Sequence, residues 1–141
     1  MIEQRFIEQS QKELDTALEL MKVAKLNADN KFYNSAINRL YYACFHSVNA
    51  MLPSRGIENY KSHDGAKLLF GLNFVKTGIV DKQWGRFFTT IMQYRNDSDY
   101  DVYTIYTKKD VDEIYPQCEE FISLAIQLIS SYLSVSCTDR C

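Results

Sequence analysis

The stretch SAINRLYYACFHSVNAML, residues 35–52, decides the fold. Its apolar residues Ile37, Leu40, Tyr41, Cys44, Phe45, Val48, Met51 and Leu52 step by three and four throughout. That spacing lines one face of an α-helix and no face of a strand. It predicts a helix over about 32–52, stopped by Pro53 and Gly56. Upstream, Leu14, Ala17, Leu18, Met21 and Ala24 mark a first helix over about 2–26, ended by the turn-forming LNADN. Downstream, Ser62 is placed to cap a third helix over about 63–76, with Gly78 just past its end. Asp81 opens a fourth over about 82–97, with Trp84, Phe87, Phe88 and Ile91 on one face. DSDYDVYTIYT, residues 97–107, reads as a loop. Thr107 and Asp110 then form a capping-box-like start for a last helix over about 108–134. Its stripe is Val111, Ile114, Tyr115, Cys118, Phe121, Ile122, Ala125, Ile129 and Tyr132, and Pro116 inside it is expected to kink or restart the helix. Short connections between long amphipathic helices predict one all-α domain over 1–141, an antiparallel up-and-down bundle of about five helices. Its core runs from about 8 to 133, before a polar tail at 134–141.

Composition agrees. The 141 residues suit one domain, and 46% hydrophobic with 24% charged side chains excludes a disordered chain. Five Gly and two Pro are too few for the frequent turns of an all-β fold. No apolar run reaches a membrane span and the N-terminus is too charged for a signal peptide, so a cytoplasmic protein without membrane contact is expected. Cys44 and Cys118 fall on apolar stripes and Cys137 and Cys141 in the polar tail, without metal-ligand spacing. All four read as reduced thiols, and neither metal nor cofactor is expected.

The net charge of −2 hides an asymmetry. Residues 1–96 carry 13 basic and 9 acidic side chains, whereas residues 97–120 carry 2 and 8. A broad basic face for duplex DNA is excluded; a small anion pocket in the first two-thirds is not.

The informative residues are polar ones on apolar faces. Arg95 continues the stripe Trp84, Phe87, Phe88, Ile91, where an unpaired guanidinium would be costly; Asp97, Asp99 and Asp101 are the nearby acids. In the second helix Arg39, Tyr42 and His46 share one ridge at i, i+3 and i+7. Lys61, Ser62 and His63 gather where the third helix begins, a place suited to an anion or explained by a simple N-cap. Gly-rich phosphate loops, nucleophile elbows and HExxH helices do not occur.

Together, SAINRLYYACFHSVNAML (35–52), KSHDGAKLLFGLNFVKTGIVD (61–81) and YRNDSDYD (94–101) resemble the HEPN superfamily, in particular its small stand-alone prokaryotic branch. The resemblance implies a helical bundle, often a homodimer with its groove at the interface. It also implies a toxin–antitoxin or defence setting beside a small nucleotidyltransferase. Many such proteins are metal-independent endoribonucleases whose motif is an Arg, a polar residue and, after four to six intervening positions, a His. Arg95-Asn96 matches the opening, but Tyr100, Asp101 and Val102 stand where the His would fall. A phenol or ordinary carboxylate is poorly matched to proton transfer near neutral pH.

The leading expectation is therefore a non-catalytic or weakly catalytic module that binds nucleotide, single-stranded RNA or a nucleotidyltransferase. Its candidate groove residues are Arg39, Tyr42, His46, Lys61, His63, Asn96, Asp99, Tyr100 and Asp101. One alternative is a metal-independent endoribonuclease using Arg95 with a His from elsewhere in the dimer. Another is a structural bundle in which Arg39 and Arg95 lock Asp99 and Asp101. The resemblance also implies Tyr100 or Tyr103 as a target for adenylylation by the partner.

Overall fold

The computed structural model describes residues 2–58 and 62–140, with side chains through Leu133. Lys61 and Cys141 lie outside the described residues, as does the side chain of Cys137. Five α-helices follow in order: α1 (Gln4–Asp29), α2 (Tyr33–Ser54), α3 (His63–Phe70), α4 (Lys82–Tyr100) and α5 (Lys108–Arg140). They pack as an all-α bundle, without strands among the described residues. Among the described residues no helix is long and apolar enough to cross a membrane.

The central element is α2, which packs against α1, α5, α4 and α3. From Ala36 to Ser54 most of its side chains are buried, because it has neighbours on nearly every side. Its closest partner is α1, and the reason is side-chain size. Ser10, Ala17 and Ala24 recur every seven residues on α1 and are fully buried, so the two backbones approach closely. Ser10 Oγ donates to the carbonyl of Ala50 at 2.8 Å, satisfying the one polar group in that seam. Leu18, expected on the buried stripe, is 39% exposed instead. The small-residue seam turns α1 so that Leu18 borders α5 from outside.

Helix ends mostly follow local chemistry. Ser62 Oγ accepts from the Gly65 amide at 3.0 Å and Asp81 Oδ1 from the Gln83 amide at 2.9 Å. Thr107 and Asp110 bond reciprocally: the Thr107 amide donates to Asp110 Oδ2 at 2.8 Å and the Asp110 amide to Thr107 Oγ1 at 3.4 Å. The α-helical part of the third segment ends at Phe70, and a wider π-type turn, Gly71–Val75, carries the chain on to Gly78 at φ +81°.

At the prolines the expectations hold only in part. Pro53 does not stop α2 but sits in its last turn. The helix closes at Gly56 (φ +77°), whose amide donates to the Pro53 carbonyl while the Ile57 amide donates to the Leu52 carbonyl. These two bonds make a Schellman motif, so the glycine rather than the proline ends the helix. α5 likewise runs through Pro116 and past the expected end at residue 134 to Arg140. Pro116 and Asp112 both lie on its exposed side, where water can serve the carbonyl that proline leaves without a donor.

α1 ends in the same Schellman motif, with Lys31 N–H donating to the Ala28 carbonyl and Phe32 N–H to the Asn27 carbonyl. Here the left-handed residue is Lys31, at φ 67°, and a side chain there is strained. Replacing Lys31 by Gly is expected to stabilise the fold by about 1 kcal/mol, read as a higher urea midpoint with an unchanged slope.

Candidate functional site

α4 was expected to end near residue 97, leaving the acidic residues in a loop. It continues to Tyr100, because those residues bond within the helix. Asp97 accepts from Gln93 Nε2 at 2.8 Å, and Asp99 Oδ2 lies 3.0 Å from Arg95 Nε, both at i, i+4. The Asp101 amide closes the last turn on the Asp97 carbonyl at 3.0 Å. The added turn carries Asp99 to the side of α2.

Arg95 is the centre of the cluster, its side chain 14% exposed. Nη2 donates to the Tyr42 hydroxyl and Nη1 to Asn96 Oδ1, each at 3.0 Å. The guanidinium also lies over the rings of Tyr42, Tyr100 and Tyr41, at 5.4, 5.8 and 5.9 Å from their centroids. Nε is buried and in ionic contact with Asp99, yet its N–H is not aligned for a hydrogen bond to any described acceptor. Asp99 is shared: Asn38 Nδ2 donates to its two oxygens at 3.1 and 3.2 Å, and Asn38 Oδ1 accepts from Arg39 Nε at 3.1 Å. A chain of polar contacts thus runs Arg95, Asp99, Asn38, Arg39 across the ends of α4 and α2. Arg39 closes it by lying 5.4 Å over the Tyr42 ring.

His63 stands on the other side of the aromatic wall. Its Nδ1 is 2.5 Å from the Tyr41 hydroxyl, and its ring is 4.7 Å from Phe45 and 5.7 Å from Tyr42. Burial lowers its pKa, and the charge of Arg95 lowers it further, against a smaller opposing effect of Asp64. Burial also pushes the Tyr41 phenol up. Both groups are neutral at pH 7, and the contact is a phenol–imidazole hydrogen bond. His46 lies on the α1 side, with Nδ1 2.5 Å from Glu13 Oε2 and each side chain about a quarter exposed.

These residues surround an open groove of about 450 Å³ lined by Thr16, Leu20, Asn38, Arg39, Tyr42, His46 and Asp99. A smaller cavity of about 220 Å³, bounded by Asn34, Ser35, Ser98 and again Asn38, Arg39 and Asp99, adjoins it. The structure therefore brings Arg39, Tyr42, His46 and Asp99 to one groove and sets Arg95 and Asn96 behind it. His63 is one ring away. Asp101 belongs elsewhere: its carboxylate accepts from the Tyr103 amide at 2.9 Å and from Thr104 Oγ1 at 3.0 Å, holding the α4–α5 loop. Tyr100 and Tyr103 are 77% and 88% exposed. Among the described residues no group of three or more His, Cys, Asp or Glu gathers as metal ligands would.

Sequence reasoning missed three members. Asn38 directly precedes Arg39, and its side chain is the bridge to Asp99. Tyr41 reads as a core residue and is one, but its hydroxyl selects His63. Glu13 lies three residues after Ser10 and four before Ala17, so the seven-residue repeat of small side chains already placed it at the edge of the seam.

Four helices around a central α2, with a polar groove between the middle of α1, the first two-thirds of α2 and the end of α4, define a groove-bearing all-α bundle. A family model described as the HEPN domain matches residues 10–129, and the chain belongs to that family. It is similar to a UPF0332 protein of Thermotoga maritima, 34% identical over 113 residues that cover 80% of this chain and 85% of the relative. Two proteins of Methanocaldococcus jannaschii, each named "putative toxin", are also similar. One is 34% identical over 82% of this chain and 84% of its own length, the other 30% identical over 80% and 76%.

Two measurements probe the cluster. Arg95→Ala removes the ionic partner of Asp99 and the donor to Tyr42, and is expected to cost about 2 kcal/mol in denaturant unfolding. That is less than a fully buried pair would cost, because Asp99 is about one-third exposed and keeps Asn38. His63 has a folded pKa below its ordinary 6.5, so the unfolded chain binds the extra proton. Stability is therefore full above pH 6.5 and falls as the pH drops below it, and His63→Gln should lose less stability than the wild type between pH 7 and 5.

Proposed function

We propose that this chain is the HEPN half of a toxin–antitoxin pair, and that its groove holds a nucleotide or a short single-stranded RNA by a phosphate. One observation carries the reading: Arg39, Tyr42, His46 and Asp99, drawn from two helices, line a single open groove. A guanidinium presents a planar fork of donors that matches phosphate oxygens, and Arg39 spends only part of its fork on Asn38. Asp99 on the opposite wall is an acceptor suited to ribose hydroxyls. With one guanidinium, one imidazole and one carboxylate, the groove suits a small anion and not a duplex backbone. The names of the two Methanocaldococcus relatives support the toxin setting. The homodimer and the nucleotidyltransferase partner implied by the family resemblance belong to the same reading.

Fluorescence anisotropy with a labelled single-stranded oligoribonucleotide at low salt, with ATP as competitor, tests it. Saturable binding is expected, with Arg39→Ala weaker by about tenfold and its salt slope smaller by about one. Absence of saturation with either ligand at millimolar concentration would overturn the reading.

Metal-independent RNA cleavage is the second reading. It is favoured by the presence of two imidazoles in the same chain near guanidiniums, His63 through Tyr41 to Arg95 and His46 two turns along α2 from Arg39 in the same groove. RNA cut in the presence of EDTA supports this reading, and RNA left intact sinks it.

A further inference from the structure

We infer that Glu13 and His46 are the acid–base pair of this groove, His46 as the catalytic imidazole and Glu13 as the carboxylate that positions it. The inference rests on the cleavage reading above and names the residues that carry it out. Four observations lead to it. First, His46 lines the groove together with Arg39, whereas His63 does not. Second, the Nδ1 of His63 is committed to the Tyr41 phenol and its ring is packed on Phe45, while His46 among the described residues is hydrogen-bonded through Nδ1 to Glu13. With Nδ1–H donated to a carboxylate, a neutral imidazole carries its lone pair on Nε2, the atom left for the groove. Third, Arg39 and His46 are seven residues apart on one face of α2, about 10 Å along the axis, with Tyr42 between them. A phosphate held at Arg39 leaves room for the ribose that carries it on O3′, whose 2′-hydroxyl adjoins the phosphorus, to reach His46. Fourth, Tyr100, Asp101 and Val102 are exposed, and Asp101 is spent on holding its loop, so none of them supplies this chemistry.

The step balances without a metal or a redox partner. His46 Nε2 takes the proton of a ribose 2′-hydroxyl, and O2′ forms a bond to the adjacent phosphorus. The P–O5′ bond breaks, O5′ takes a proton from water, and the imidazolium returns its proton to solvent. The products are a 2′,3′-cyclic phosphate and a 5′-hydroxyl. Arg39 faces the charge that builds on the phosphoryl oxygens.

The experiment is cleavage of a single-stranded oligoribonucleotide in EDTA, beside anisotropy on the same proteins and a thermal melt of each. His46→Ala should cut about 100-fold more slowly, bind RNA as the wild type does, and regain activity when millimolar imidazole is added. Glu13→Gln should lower kcat by about tenfold with KM unchanged, and Glu13→Asp should recover part of it. His63→Ala should cut at the wild-type rate. If His46→Ala cuts normally, or if His63→Ala is the variant that fails and responds to imidazole, the assignment is overturned while the cleavage reading stands. If the wild type binds RNA and leaves it intact, both fall and the binding reading remains. Should His46→Ala melt early, imidazole rescue of the folded fraction still decides, because a purely structural defect does not respond to it. Should Glu13→Gln melt early, the pH profile of kcat for the folded fraction decides, because a purely structural defect lowers its height without moving it.

Discussion

A guanidinium placed on the apolar face of a helix must be paired, and the way Arg95 is paired determines the geometry of the surrounding helix ends. Desolvating an unpartnered arginine would cost several kcal/mol, a large fraction of the stability of a domain this size. The protein meets that cost with a carboxylate one turn later, a tyrosine hydroxyl from α2 and a shell of aromatic rings. Each partner has a second consequence. Asp99 can serve only because α4 is extended by a turn. Tyr42 is held by its hydroxyl and supplies the groove wall. Asn38 takes the remaining capacity of Asp99 and passes the constraint to Arg39.

The same cluster separates two histidines that look alike in sequence. His63 is pressed into an aromatic wall beside a cation, and both burial and charge favour its neutral form. His46 faces a carboxylate at the rim of an open groove. One imidazole is closed into a hydrogen bond with a buried phenol and the other stands at the groove, although each belongs to a helix and, among the described residues, neither joins a cluster of potential metal ligands.

Much of this was legible from residue spacing. α2 and α5 were plain because their apolar residues keep a 3.6-residue period over many turns, and the caps at Ser62, Asp81 and Thr107 were plain because they are local chemistry. The errors came where local signals meet tertiary ones. Pro53 and Gly56 both looked like stops, but only the glycine is one. The acidic run after Arg95 looked like a loop, but i, i+4 bonds and an asparagine from another helix keep it helical. Of the groove, Arg95 and the ridge Arg39–Tyr42–His46 stood out because they break or border apolar stripes. Asn38 and Glu13 did not, because their significance lies in partners 61 and 33 residues away. No periodicity encodes such pairs.

The tight connection between α1 and α2 has a consequence beyond its strained lysine. Only Asn30, Lys31 and Phe32 separate the two helices, so bringing them together costs little loop-closure entropy. Glu13, Thr16, Leu20, Arg39, Tyr42 and His46 all belong to this one hairpin. One wall of the groove is therefore defined by contacts short in sequence, and Asp99 is the piece delivered from a distance. The recess is a joint between a locally assembled half and a remote helix end, so how far it opens is decided by how firmly α4 is moored to α2.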